Sequence, residues 1–348
     1  MLSSVAFDDE LVGMVAVAQP GRAPDCGSGC RGFKSRRSPH PLSRRPTTRS
    51  PRPFDSAVTS AAERSGIAFA KRGGVRYRCL HMIGSTFANY TVLEKINNGG
   101  MATIYLVTDR QDQRLILRML LPEHRFHWSR SRQFKWGCKV MEKLHHPNIV
   151  RYYGSGQFNG LRYAILEYVD GPNMKELILR NDANLRANQL KILNGMAAAL
   201  AHVHESGFLH LDFKPENILV PKTYDPKLID FDLAIPRPTK PKRASKLSGT
   251  PLYLAPEQIA RQPVDERADI FSFGVTAYEL ITGKKPIAGD TREEVLQKYA
   301  NFNEHLRPPR SLAPDIPHSI ERVILKCLEK EPARRYPAMS LVVRDLQT

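Results

Sequence analysis

Long apolar runs are missing from this chain. No stretch approaches the ~18 residues that a membrane helix requires, and the short run from Leu11 to Ala18 follows Asp8, Asp9 and Glu10, the wrong charge for a secretory leader. Membrane insertion and export are therefore not expected, and the expected compartment is cytoplasmic. Cysteine is sparse too: Cys26, Cys30, Cys79, Cys138 and Cys327 are odd in number and scattered. That argues against a disulfide framework and for reducing surroundings. Cys26 and Cys30 have no second Cys or His pair at ligand spacing, so zinc is not expected. Acid is short, 35 Asp and Glu against 52 Lys and Arg, which leaves a formal charge of +17. Such a surplus suits anionic ligands at a cleft or nucleic acid on a face. No spacing resembles a helix-turn-helix, a zinc finger or an RNA-binding sheet, however, so nucleic acid is the less favoured partner.

A chain of 348 residues with 41% apolar content can fill two domains, or one two-lobed domain plus a tail. Residues 20–53 are dense in Pro, Arg and Ser and too poor in apolar groups to offset the entropy of ordering. The whole segment 1–81, with fourteen Lys and Arg against six Asp and Glu, is expected to be disordered. Met82-Ile83-Gly84-Ser85 stands just before the first strand-like run; on the family resemblance given below, residues 1–81 are expected to be an upstream translation, with a functional basic arm as the alternative. From there strand periodicity governs: Tyr90 to Ile96, Thr103 to Thr108 and Arg114 to Leu120 read as a meander, joined by Val150 to Gly154 and Tyr163 to Val169. A helix fits Ser129 to Leu144. Leu190, Leu193, Met196, Ala197, Leu200 and Val203 form one apolar stripe, and Asp269 to Ile281 reads as a central buried helix.

The most informative run is His210-Leu211-Asp212-Phe213-Lys214-Pro215-Glu216-Asn217, followed by Lys227-Leu-Ile-Asp-Phe-Asp232. It sets two acids, a lysine and an asparagine on two turns joined by a short hairpin. In-line phosphoryl transfer needs little more, because its catalysis is mostly positioning and charge neutralisation. Ala255-Pro256-Glu257 follows at a matching distance.

From about Tyr90 to Leu346 the chain resembles the bacterial, eukaryotic-like (Hanks-type) Ser/Thr protein kinases, with their landmarks in order. The resemblance implies an α+β, two-lobed fold. Its small lobe, about 90–168, would carry a five-stranded antiparallel sheet and one helix; its large lobe, about 169–348, would be mainly helical. ATP and Mg²⁺ are the implied cofactors and a protein Ser/Thr hydroxyl the implied acceptor. In that frame Asp212 orients the attacking hydroxyl, Lys214 neutralises charge on the transferred group, and Asn217 and Asp230 hold magnesium. Ile96, Gly99 and Ile104 belong to the phosphate loop, Arg118 to the anchoring cation, Glu167 and Val169 to the adenine-reading backbone behind Leu166, and Asn173 to a ribose contact. Gly249 to Glu257 resembles the peptide-docking segment, with Glu257 pairing to Arg335, which favours a protein substrate over a small molecule.

Several positions depart from the family pattern. Only the middle glycine, Gly99, survives in Asn97-Asn98-Gly99-Gly100-Met101-Ala102. The usual lysine of the third strand is Arg118, and its usual helix partner, nine residues before His146, is Gly137. Glu142 points to another helix face and is a poor substitute, and Lys95 is compatible with plain exposure. Either phosphate anchoring is rebuilt around Arg118, or selection for fast catalysis is relaxed. The second case corresponds to a pseudokinase, a nucleotide-binding scaffold that signals by conformation. Leu211 stands where an arginine would receive a phosphorylated loop, so activation through Thr239, Ser245 or Ser248 is not expected. Asp232 replaces a glycine; metal binding and turn capping remain alternatives for it. The histidines at 145, 146, 202, 204 and 210 read as structural.

Overall fold

In the computed structural model, residues 67–72, 75–80, 82–240, 242–243, 251–287, 289 and 292–348 are described. Cys26, Cys30, Ser245 and Ser248 lie outside them. β1 (Ile67–Arg72) and β2 (Val75–Leu80) pair as an antiparallel hairpin within the segment expected to lack structure.

Apolar alternation builds the main sheet. In β5 (Ala102–Thr108), Tyr105 and Val107 point inward, and in β6 (Arg114–Leu120), Leu115, Leu117 and Met119 do the same. With β3 (Thr86–Phe87), β4 (Tyr90–Asn98), β7 (Tyr152–Phe158) and β8 (Leu161–Glu167), they form an antiparallel sheet of order β3-β4-β5-β6-β8-β7. The expected five strands are thus six. The extra one, Thr86–Phe87, folds back on Thr91 and Tyr90 through Ala88, whose φ of 54° makes a tight reversal. β7 also begins later and runs further than the sequence suggested. Its reversal is Asn159-Gly160, with φ of 50° and 76°, the left-handed pair that a two-residue hairpin turn needs.

α1 (Trp128–Met141) lies against this sheet with Phe134, Gly137, Cys138, Val140 and Met141 buried. It stops short of Leu144 because Lys143 and Leu144 switch to tighter bonds with Val140 and Met141.

Beyond β8 the chain is mainly helical, with α2 (Met174–Leu179), α3 (Gln189–Glu205), α4 (Glu266–Thr282), α5 (His318–Cys327) and α6 (Met339–Leu346). The α3 stripe is buried at Leu193, Met196, Ala197, Leu200 and Val203, whereas Leu190, in the first turn, stays 39% exposed beyond the core's edge. α4 is the central post. Every residue from Ala268 to Ile281 is buried, Asp265 caps its start by accepting the Arg267 N–H, and Gly283 ends it at φ 70°. Among the described residues no helix is long and apolar enough to cross a membrane.

Candidate active site

The loop His210–Asn217 hangs from α4. Asp269, wholly buried, accepts the backbone N–H of His210 at 2.7 Å and of Leu211 at 2.8 Å, and meets His204 Nε2 at 2.9 Å. Burial opposes its charge, yet the histidine and backbone donors hold its carboxyl below the ordinary value. Leu211 takes φ 60° without being glycine, a conformation costing about 1–2 kcal/mol that the Asp269 bond offsets. Past this reversal, Asp212 Oδ2 lies 2.9 Å from Lys214 Nζ and accepts Asn217 Nδ2–H at 3.0 Å. The same amide donates to the Asp212 carbonyl at 2.9 Å, so Asn217 keeps its oxygen for another partner. Asp212 N–H donates to His210 Nδ1 at 3.2 Å, which places the ring proton on Nε2.

Two short paired strands, Ile218–Leu219 and Lys227–Leu228, bring the second turn alongside. The Ile229 N–H reaches the Asn217 carbonyl at 2.9 Å. Asp230, at φ 65°, presents a carboxylate 41% exposed, and its Oδ1 accepts the Asp232 N–H at 3.1 Å. Among the described residues no group of three or more His, Cys, Asp or Glu converges as a ready metal cage. One carboxylate plus one amide oxygen is instead the donor set magnesium takes when phosphates complete its shell, so these residues fit that ion.

The position of Arg118 was not foreseen. Its guanidinium grips Asp232 with both ends, Nη1 donating to Oδ1 at 2.9 Å and Nη2 to Oδ2, while Nη2 stands 3.6 Å from Asp230 Oδ1. The Phe134 ring lies 5.2 Å beneath it. Burial alone would lower the arginine's pKa, but Asp232 and Asp230 outweigh it and fix the positive charge. A Cβ on Gly137 would come within 2.4 Å of Asp232 Oδ1 and 3.3 Å of its Cα. Asp232 therefore spends both carboxylate oxygens on Arg118, which has a carboxylate partner although Gly137 offers none. Three coupled departures carried the signal: arginine for lysine, glycine inside a helix, and aspartate where glycine is usual.

The other candidates take these places. Ile96 is 48% exposed on β4 and Ile104 half-buried on β5, across from Asn97. At the loop between them the Gly99 N–H bonds the Ala102 carbonyl at 3.0 Å, and Thr103 Oγ1–H donates to Asn98 Oδ1 at 3.1 Å, a side-chain brace where glycines are missing. Glu142 and Lys95 are exposed. The Glu167 carboxylate is held by Lys227 at 2.8 Å, and the Val169 carbonyl accepts the Gly171 N–H at 3.0 Å. Asn173 spends its side chain on α2, accepting the Glu176 N–H at 3.0 Å and donating to Glu176 Oε1 at 2.7 Å, because it is that helix's N-cap. His146 and His202, though on separate elements, stack at 5.2 Å.

Glu257 and Arg335 form a two-pronged buried pair at 2.7 and 2.8 Å, as expected. Two buried acids on α4 depart from its apolar pattern. Asp269 is one; Glu279, bonded to Tyr253 O–H at 2.6 Å and to the Lys175 ammonium, is the other. A carboxylate in the middle of an otherwise apolar run was the available signal.

Residues 90–346 match the family described as the protein kinase domain. The serine/threonine-protein kinase PrkC of Bacillus subtilis is 30% identical over 261 residues, 74% of this chain and 40% of that protein. A probable serine/threonine-protein kinase of Clostridium perfringens is 31% identical over 269 residues, covering 76% and 39%. The serine/threonine-protein kinase PknA of Mycobacterium tuberculosis is 31% identical over 262 residues, covering 73% and 60%. The chain spans about two fifths of the length of the first two. With the match reaching over most of its length, the chain belongs to the protein kinase domain family.

Proposed function

We propose that this chain is a protein serine/threonine kinase that transfers the γ-phosphoryl group of ATP to a hydroxyl of a protein substrate. The carrying observation is the linked set Asp212, Lys214 and Asn217, whose distances of 2.9 and 3.0 Å hold three groups of different charge on one loop. Asp212 is the group to orient the attacking hydroxyl and take up its proton. Lys214, beside it, is suited to neutralise charge gathering on the transferred oxygens. Asn217 and Asp230 would hold magnesium, which when bound screens the phosphates. Ile96, Gly99 and Ile104 would cover the nucleotide, with the Glu167 and Val169 backbone reading adenine. Asn173 is less suited to a ribose contact while it caps α2.

A pseudokinase reading drew on the loss of both members of the usual ion pair. The Arg118–Asp232 contact supplies a replacement, which weakens that reading. The buried Glu257–Arg335 pair supports a protein acceptor, since it braces the docking segment. A cytoplasmic location belongs to the same proposal, because that is where ATP is plentiful. The folding unit would run from Met82 to Thr348: Met82 is 2% exposed and packs with Phe87 and Val92. A chain starting at Met82 should therefore melt close to the full chain.

The test is incubation of the purified chain with Mg-ATP and a protein acceptor, with phosphorylated sites mapped by mass spectrometry. Phospho-Ser or phospho-Thr formed by the parent and absent with Asp212→Ala supports the reading. No turnover, with ATP still raising the melting temperature, favours the scaffold.

A further inference from the structure

We propose that Asp232 supplies the carboxylate that helix α1 gives up at Gly137, so that Arg118, Gly137 and Asp232 act as one positioning unit tying the nucleotide-anchoring cation to the turn that bears Asp230. The proposal rests on the kinase reading for the identity of the ligand, though not for the existence of the unit.

Three observations make the residues interdependent. The arginine fork meets both oxygens of Asp232, a geometry that a lysine point charge cannot reproduce. Both side chains are nearly closed to solvent, 10% and 7% exposed, so Asp232 without the arginine would be a buried, uncompensated charge, and Arg118 without Asp232 would keep only the 3.6 Å contact to Asp230. Gly137 is the third member by what it lacks. A side chain there would start 2.4 Å from Asp232 Oδ1 and press on the Asp232 backbone, so the aspartate, placed as it is on the turn, requires glycine in the helix.

The relocation changes what the cation follows. Where the acid sits on a helix, moving that helix breaks the pair and can serve as control. Here the acid lies two residues from Asp230, and Arg118 Nη2 is within 3.6 Å of Asp230 itself. The carboxylate that holds the cation thus belongs to the metal-site turn and not to α1. Two of the five guanidinium N–H groups are spent on Asp232, leaving others for phosphate oxygens.

The full chain should be prepared as Asp232→Asn, Asp232→Gly, the double Arg118→Lys/Gly137→Glu, and the triple Arg118→Lys/Gly137→Glu/Asp232→Gly. Each is measured for melting temperature without nucleotide, for the dissociation constant of Mg-ATP, and for kcat and KM. Loss of the Asp232 charge should weaken ATP binding by about tenfold or more and raise KM more than it lowers kcat. The double, with a glutamate forced against Asp232, should melt below the parent and bind ATP worse than either Asp232 variant. Adding Asp232→Gly should recover most of both losses. Asp232→Asn with parental melting temperature and ATP affinity would overturn the proposal, as would a triple no better than the double. A parent that binds ATP without turnover would remove the kinase reading yet leave these two readouts intact.

Discussion

Asp269 holds Leu211 in a left-handed backbone conformation: its Oδ1 accepts the Leu211 N–H at 2.8 Å, and φ of the leucine is 60°. The strain is local, but it aims Asp212 at Lys214 and Asn217. Asp269→Ala should leave the N–H groups of His210 and Leu211 and the ring of His204 without an acceptor. Each buried group left unpaired costs about 1–3 kcal/mol. The expected outcome is a clear loss of melting temperature with kcat reduced more than the KM for ATP, read by calorimetry and steady-state kinetics.

On the proposed kinase reading, Asp212→Ala and Asp230→Ala remove the hydroxyl-orienting group and the metal-site carboxylate. Each should lower phosphotransfer by at least ~100-fold. Asp212→Ala should keep ATP binding, because its proposed partner is the acceptor hydroxyl and not the nucleotide. Asp230→Ala should lose the magnesium dependence of that binding, which titration with and without magnesium checks. Wild-type rates in either variant would remove the assignment.

Arg335→Ala strips the partner from Glu257, whose side chain is only 3% exposed. Breaking a buried pair from one side costs about 3–5 kcal/mol. The arginine also donates to the carbonyls of Glu329, Arg267 and Lys330 at 2.7 to 2.9 Å, so the loss spreads over several segments. Denaturant unfolding should show the drop, and Arg335→Lys should recover only a small part of it.

His210 is wholly buried between Phe213 and Phe231, at ring distances of 5.9 and 5.1 Å. Burial lowers its pKa below the ordinary 6.5, with Asp269 working the other way. The unfolded chain therefore takes up this proton more readily than the folded one. Its contribution to stability is fully present above about pH 6.5 and is lost as pH falls below that value. Melting temperature should decline between neutral and mildly acidic pH, and His210→Asn should flatten that decline. His146, also lowered by burial, remains in both proteins and contributes equally. An unchanged slope in the variant would show that His210 does not carry the effect.

Leu211 bears on regulation as well. It is 9% exposed and apolar, and offers nothing to a phosphorylated loop. Thr239→Ala combined with Ser245→Ala and Ser248→Ala should leave turnover within about threefold of the parent, a change of under 1 kcal/mol. A large loss, assayed on protein free of prior phosphorylation, would reveal a receptor elsewhere.

Alternation alone marked most strands of the main sheet, because a half-buried strand must show one apolar face. It could not supply Thr86–Phe87, since two residues carry no period. The stripe from Leu193 to Val203 and the apolar run of α4 were likewise readable, whereas the exposure of Leu190 depended on how far the neighbouring elements reach. Asp212, Lys214 and Asn217 stand within six residues, so chain connectivity itself restrains them to one loop. Arg118 and Asp232 are 114 residues apart, so no local spacing brings them together. What joins them is the removal of one Cβ at Gly137, which only three-dimensional packing turns into a place for a carboxylate. Sequence determined which charges this protein owns. Tertiary structure decided which of them meet, because a buried charge is stable only where the fold brings it an opposite one.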